Sequence, residues 1–117
     1  MTTSTAEGLS SLEYHVLLAM ARGPLYGYAI KDAVESDSAG TLTPRAGTLY
    51  RVIARLITRG VVTEAEPEGE NSPHPGRARK YYGLTDDGRR ALVGEARRQR
   101  GAADLVDERL GVVGGSQ

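Results

Sequence analysis

The sequence contains no cysteine, tryptophan or phenylalanine, and six tyrosines are its only aromatic residues. Without cysteine, a disulfide framework and thiolate metal sites are excluded, which fits a reducing compartment. No stretch reaches the roughly 18 consecutive apolar residues that a membrane span needs, and the first residues lack the charged and apolar regions of a signal peptide. We therefore expect a cytoplasmic protein with no membrane partner, whose core consists of leucine, valine, isoleucine and alanine.

The chain also lacks a net charge, because 15 basic residues balance 15 acidic ones over 117 residues. These charges are unevenly distributed along what its length indicates is a single domain. Residues 43–60 carry four arginines and no acid, and residues 77–100 carry eight basic residues against three acidic ones, whereas residues 61–76 carry four acids and no Lys or Arg. We predict local basic patches on a neutral protein, as expected where DNA is bound through one face.

Residues 43–60 predict a helix with two unlike faces. Thr43 is a suitable N-cap, Pro44 a suitable first helical residue and Gly60 a suitable C-terminal stop. The apolar face consists of Leu49, Val52, Ile53 and Leu56, and the small, polar and cationic side consists of Gly47, Thr48, Tyr50, Arg51, Ala54, Arg55 and Thr58. Such a surface suits a DNA major groove, although the solvated side of an ordinary amphipathic helix has the same pattern.

Two shorter helices are predicted before this one. Ser10 and Glu13 form a capping box that starts the first helix, and Gly23-Pro24 ends it. The second helix is predicted to begin with Leu25–Tyr28 and to end near Asp37, and it is followed by a brief glycine-containing turn. Three short helices in this arrangement are typical of a helix-turn-helix inside a trihelical bundle.

After the central helix, the pattern of apolar residues becomes that of β-strands. Val61–Thr63 and Arg77–Thr85 predict two strands, with Tyr82 and Leu84 facing the core. Between them lie residues 67–76, which contain three of the five prolines and two glycines and predict a loop. Two strands in this position form a wing, and its tip carries the basic residues Arg77, Arg79 and Lys80.

Residues 86–110 predict a final helix, with Asp86 and Asp87 at its N-terminus. A seam runs along it at spacings of 4, 3, 4, 3 and 4 residues, typical of a coiled coil: Leu92, Ala96, Gln99, Ala103, Val106 and Leu110. The narrow seam and its charged flanks favour pairing with a partner helix. Because the seam is weak and two glycines interrupt the helix, we also expect packing against the first helix, either its own or a partner's. Residues 1–8 and 111–117 are predicted to be a disordered and a frayed tail.

The strings LYGY, GTLYR and RKYY, the last followed by LT and a later glycine, resemble the PadR-like family of transcriptional regulators, over Leu9 to about Leu92. The resemblance implies a mainly α fold with a small β-hairpin wing (α+β). In this fold, a winged helix-turn-helix DNA-binding domain covers residues 9–85 and a C-terminal dimerisation helix covers residues 86–110, as in compact members with a single C-terminal helix. It also implies a homodimer on an inverted-repeat operator, usually a repressor that a small-molecule effector relieves.

In such a homodimer the two central helices would enter successive major grooves, about 34 Å apart. We predict that three arginines, with Thr48, contact base edges and nearby phosphates, since arginine can pair with guanine through two hydrogen bonds. Tyrosine hydroxyls could donate to phosphates, and the wing would add salt-sensitive affinity. The predicted DNA-binding residues are Tyr26, Tyr28, Arg45, Thr48, Tyr50, Arg51, Arg55, Arg77, Arg79 and Lys80.

Other classes of function fit the sequence less well. It has no phosphate-binding loop, no G-x-S-x-G or H-E-x-x-H motif and no cysteine nucleophile, and its two histidines, His15 and His74, lie in separate elements. We therefore predict that the protein is not an enzyme and has neither a metal nor a cofactor. A winged helix that binds proteins and not DNA is an alternative, as is a metal sensor that uses His74 and the acids of residues 64–70.

Overall fold

Four helices and three strands form the part of the chain that the structure, a computed structural model, describes, namely residues 8–66 and 80–112. In chain order they are α1 (Ser11–Ala19), β1 (Leu25–Tyr26), α2 (Gly27–Asp37), α3 (Ala46–Thr58), β2 (Val62–Ala65), β3 (Tyr81–Leu84) and α4 (Asp86–Leu110). This is the mainly α fold with a small sheet that the sequence predicted.

The sheet has three antiparallel strands in the order β1-β3-β2 and not the two of a simple hairpin. Leu25 pairs with Tyr82 on one edge of β3, and Val62 pairs with Leu84 on the other. The prediction that Leu25 and Tyr26 begin the second helix was therefore wrong. These residues supply backbone partners to an edge of β3 that the hairpin alone would leave unpaired.

Short-range capping contacts define the ends of two helices as predicted. In α1, the Ser10 hydroxyl accepts from the Glu13 backbone N–H (3.1 Å) while the Ser10 N–H donates to the Glu13 carboxylate (2.8 Å). After α3, Gly60 adopts a left-handed conformation (φ +82°), and its N–H donates to the carbonyl of Ile57. These contacts confirm the capping box and the glycine stop.

The start of α3 differs from the prediction. Thr43 is not the N-cap and Pro44 is not the first helical residue, because the helix begins at Ala46 after an extended Arg45 (φ −77°, ψ 159°). The carbonyl of Arg45 accepts the first helical hydrogen bond, from Leu49 at 2.9 Å. Pro44 therefore lies before the helix, and the extended Arg45 takes the N-cap position that the sequence assigned to Thr43.

The core lies under the inner face of α3. Leu49, Val52, Ile53 and Leu56 are each at most 4 % exposed, which confirms the predicted apolar face. Around them lie buried side chains of α1, α2 and the sheet, among them Val16, Leu17, Ile30, Val34, Val62 and Tyr82, and Leu84 packs against this cluster. Since burying such a side chain stabilises the fold by about 1.5–3 kcal/mol, one face of α3 is fixed inward and the opposite face is left outward.

The last helix begins in the domain and then leaves it. The buried residues of α4 are Gly88 and Ala91 in its first two turns, and Leu92 packs against the core. From Arg97 to Val112 almost every residue is exposed. Among residues 8–66 and 80–112, the helices are all too short or too polar to cross a membrane.

Candidate nucleic-acid interface

The outward face of α3 is exposed, as the sequence predicted, and its side chains are small or cationic. Gly47, Arg51, Ala54 and Thr58 all lie on it. The Arg51 guanidinium donates to the Thr48 hydroxyl at 3.4 Å, one turn back along the helix. Among the described residues, the atom nearest to a Cβ added at Gly47 would be an Arg51 nitrogen, 3.9 Å away. The face therefore leaves room for another molecule to approach the helix backbone closely.

Two tyrosines lie beside this face at the N-terminus of α2. Tyr50 of α3 is 47 % exposed, and its ring packs so closely on Gly27 that a Cβ there would overlap the hydroxyl. Tyr28, in the first turn of α2, is 62 % exposed, and the Lys31 ammonium lies 5.8 Å from its ring centroid. The Tyr50 phenol therefore borders the positive end of the α2 dipole.

Tyr26 occupies a more structural position than the other two. It lies in β1, is half-buried, and packs edge-to-face on Tyr81 with the ring centroids 5.7 Å apart. Tyr82, the next residue on β3, is buried, and this burial raises the pKa of its phenol. A ring pair of this kind stabilises the sheet by about 0.5–1.5 kcal/mol beyond its buried area.

The other flank of α3 faces α1 through an ionic contact that the sequence did not reveal. Glu13 of α1 lies 3.4 Å from Arg55 Nε and 3.6 Å from Arg59 Nη1. Its side chain is only 11 % exposed, whereas that of Arg55 is 56 % exposed. Sequence reasoning explained Glu13 by the capping box alone, and the pairing joins residues too distant along the chain for a local pattern to show it.

The predicted basic tip of the wing lies mostly beyond what the structure covers. Arg77 and Arg79 are outside the described residues, as are His74 and two of the four acids considered for a metal site. Lys80 is exposed and lies 3.4 Å from Glu64 across the two strands. Within residues 8–66 and 80–112, no group of three or more His, Asp or Glu side chains could hold a metal ion.

A second exposed surface lies on the C-terminal half of α4. Val106 is 53 % and Leu110 is 72 % exposed, and Gln99 and Ala103 are exposed as well. Leu105, which the predicted seam omitted, is also exposed beside them. Of the remaining seam residues, Leu92 packs against the core and Ala96 is half-buried. An uncovered apolar strip on a protruding helix is typical of a surface that binds a partner.

The start of α1 contacts α4 through a carboxylate. Glu95 accepts a hydrogen bond from the Arg98 guanidinium (2.8 Å) and interacts more weakly with the backbone N–H of Leu9, just before α1. The hydrogen bond from Arg98 has the largest effect on Glu95, and it lowers the pKa of this carboxyl below its ordinary value. The predicted seam therefore begins where α4 still packs against the rest of the domain.

Comparison with known proteins relates the chain to a family of transcriptional regulators. The family model for PadR-like transcriptional regulators matches residues 16–93. A PadR family transcriptional regulator from Eggerthella lenta has 29 % sequence identity and a TM-score of 0.65, with 86 % of this chain and 81 % of that chain covered. Bacillus subtilis PadR in complex with operator DNA has 22 % identity and a TM-score of 0.59, with 73 % and 46 % covered.

A curated relative, an uncharacterized 37.1 kDa protein in transposon TN4556 of Streptomyces fradiae, is 41 % identical over 81 residues, which are 69 % of this chain and 21 % of that protein. The chain thus spans about a fifth of that relative. The family model, in contrast, covers residues 16–93 of 117, well over half of the chain. The chain belongs to the PadR-like family of transcriptional regulators.

Proposed function

We propose that this protein is a homodimer that binds an inverted-repeat DNA operator with α3 as its recognition helix. The observation that carries the proposal is the division of α3 into a buried apolar face and an exposed face of small and cationic residues. A helix of this kind fits the width of the DNA major groove. The solved complex of Bacillus subtilis PadR with operator DNA supports the same use of the fold.

The exposed side chains divide by the kind of contact they can make. Arg45 and Arg51, with Thr48, are assigned to base edges, because arginine offers two parallel donors to guanine. Tyr28 and Tyr50 are assigned to phosphates, which fix the position of the protein on the duplex without reading its sequence. Lys80, together with the sequence-predicted Arg77 and Arg79, is assigned to the DNA backbone beside the groove, where affinity depends on salt.

Selection of genomic fragments with the purified protein, followed by sequencing, tests this function. We expect an enriched inverted repeat with half-sites about one helical turn apart. Arg51→Ala should then weaken operator binding by about 5- to 150-fold, equivalent to the roughly 1–3 kcal/mol of one base contact, and random DNA binding by less. Arg22→Ala, an exposed arginine outside α3 and α4, is the control. Equal losses on both DNAs would exclude Arg51 as a base contact, and no enriched fragment would favour a protein-binding winged helix.

The dimer is proposed to form through α4, with the two copies antiparallel. Residues 89–100 carry five arginines and one glutamate, whereas residues 101–110 carry three acids and one arginine. An antiparallel pair places the basic half of each helix beside the acidic half of the other. The seam is also symmetric about residue 101, so that Ala96 would face Val106 of the second copy in the manner of an antiparallel coiled coil.

Cross-linking distinguishes this arrangement from a parallel pair, because the natural chain has no cysteine to interfere. A mixture of Ala96→Cys and Val106→Cys chains should form a disulfide-linked dimer on mild oxidation. Leu110→Cys alone should not, because two copies of residue 110 would lie about 27 Å apart along the helix axis, at 1.5 Å per residue. Efficient linkage of Leu110→Cys to itself would instead indicate parallel helices.

We also propose that the bound dimer represses transcription, because a protein that covers an operator excludes other proteins from the same DNA. The family resemblance supports repression and relief by a small-molecule effector. Deletion of the gene should raise transcription beside the operators found by the selection. Lower transcription at those sites would indicate an activator.

A further inference from the structure

Glu13 is a nearly buried carboxylate that contacts the recognition helix from α1. Its Oε2 lies 3.4 Å from Arg55 Nε and its Oε1 lies 3.6 Å from Arg59 Nη1. Arg59 is itself largely buried, with 14 % of its side chain exposed, whereas Arg55 is 56 % exposed. One carboxylate thus joins an inner and an outer arginine of the same helix.

The carboxylate is itself held in place. The backbone N–H of Ser10 donates to Glu13 Oε1 at 2.8 Å, and the backbone N–H of Glu13 donates to the Ser10 hydroxyl at 3.1 Å. This reciprocal pair fixes the side chain against the start of α1. Glu13 therefore offers Arg55 a fixed partner and not one that moves with it.

The contact uses only one edge of the Arg55 guanidinium. Because Glu13 meets Nε, the two Nη groups are left for other acceptors, and more than half of the side chain is exposed to them. The Nη edge of a guanidinium can donate two parallel bonds to a phosphate. A side chain already held in one orientation loses less conformational entropy on binding than a free one.

We propose that Glu13 is a positioning residue for DNA binding, which holds Arg55 ready for a backbone phosphate. The inference rests on the proposed function, and it narrows the role of Arg55 from base edges or phosphates to phosphate alone. Glu13 itself touches no DNA in this proposal. It acts through the orientation of Arg55.

A purely electrostatic role for Glu13 predicts the opposite outcome. A carboxylate beside a DNA-binding surface repels phosphates, so its neutralisation should strengthen binding when orientation is unimportant. Positioning predicts weaker binding after the same change, although the protein has become more positive. The sign of the effect therefore separates the two roles.

Glu13→Gln provides the test, because glutamine keeps the size of the side chain and is compatible with a capping box. We expect operator binding to weaken about 3- to 10-fold, and the slope of log K against log salt to fall by up to one, as after the loss of one phosphate contact. Glu66→Gln is the matched control, since it removes an exposed carboxylate that follows β2 and, within the described residues, forms no ion pair with those assigned to DNA. It should bind as tightly as the natural protein or more tightly.

A double-mutant cycle with Arg55→Ala completes the experiment. Glu13→Gln should have little further effect once Arg55 is absent, because the two residues act as one unit. Arg55→Lys is a second test, which also applies when Glu13→Gln folds poorly. Lysine keeps the positive charge but lacks the Nε donor, so this variant should weaken operator binding about as much as Glu13→Gln. Folded fractions are checked by circular dichroism before binding is measured.

The outcomes are separable. Unchanged or tighter binding by Glu13→Gln, or additive losses in the cycle, would overturn the inference and leave the proposed function intact. Failure of the natural protein to bind any DNA would overturn both.

Discussion

Gly88 lies in the first turn of α4, where the helix crosses the backbone at Val61. A Cβ added at Gly88 would overlap the Val61 carbonyl oxygen and lie 3.0 Å from the carbonyl carbon. That oxygen accepts the backbone N–H of Thr85 at 3.2 Å, so the carbonyl cannot turn away without loss of a hydrogen bond. Gly88→Ala should therefore force α4 away from the end of α3.

The size of this effect follows from three terms. Overpacking against a fixed neighbour costs about 1–3 kcal/mol. A lost hydrogen bond adds about 1 kcal/mol, and the better helix propensity of alanine offsets at most about 1 kcal/mol. We expect the free energy of unfolding to fall by about 2 kcal/mol, which lowers Tm by about 8 °C in a domain of this size.

Thermal unfolding followed by circular dichroism at one fixed protein concentration measures the change, since Tm would depend on concentration in the proposed dimer. Gly94→Ala is the matched control in the same helix, where the described atom nearest to an added Cβ is an Arg98 nitrogen at 3.8 Å. It should raise stability by about 1 kcal/mol. A Gly88→Ala protein that melts at or above the natural Tm would refute the close crossing of α4 and Val61.

Three further predictions concern single contacts. Ser10→Ala should lower the free energy of unfolding by about 1 kcal/mol through loss of the cap, whereas Ser11→Ala, outside the capping box, should change Tm little. Equal Tm values for the two variants would contradict the stabilising role of the cap. Arg79→Ala should reduce the salt slope of DNA binding by about one, and an unchanged slope would remove Arg79 from the interface. Arg98 lowers the pKa of Glu95, so this carboxylate stabilises the fold above its unfolded pKa of about 4.3 and the effect is lost as pH falls through the lower folded pKa. The urea midpoints of Glu95→Gln and the natural protein should therefore differ at pH 7 and converge in acid, and a gap that persists at low pH would contradict this.

The sequence predicted those helix boundaries that depend on residues within one turn. The capping box of Ser10 and Glu13, the left-handed Gly60, and the full extent of α4 from Asp86 to Leu110 were all predicted. In each case the donor and acceptor are at most a few positions apart, so the residues that determine the boundary all lie within one short stretch of sequence. The predicted start of α3 was wrong because the N-cap residue in the structure is Arg45, and arginine is not a residue type that N-cap positions prefer.

Contacts between distant parts of the chain could not be predicted in the same way. Leu25 and Tyr26 form a strand only because Tyr81 and Tyr82, more than fifty positions later, offer them an edge. The contact of Glu13 with α3 could not be predicted for the same reason, since Glu13 and Arg55 are more than forty positions apart. Its local pattern explains a cap completely, and nothing in the residues around it indicates a second partner.

These distant contacts also fix α3 relative to α4. At the C-terminal end of α3, the Gly60 carbonyl accepts the Thr85 hydroxyl at 2.7 Å, and the same hydroxyl caps α4 by accepting the Gly88 N–H at 2.9 Å. At the start of α1, Glu13 contacts α3, while the nearby Leu9 N–H interacts weakly with Glu95 of α4. Contacts at two separate places and a shared core between them thus define the position of α3 relative to α4. In the proposed dimer, the distance between the two recognition helices is then set by how one α4 packs on the other. An effector that alters DNA affinity should accordingly act on the pairing of the α4 helices, where a small rotation moves both recognition helices relative to the operator half-sites.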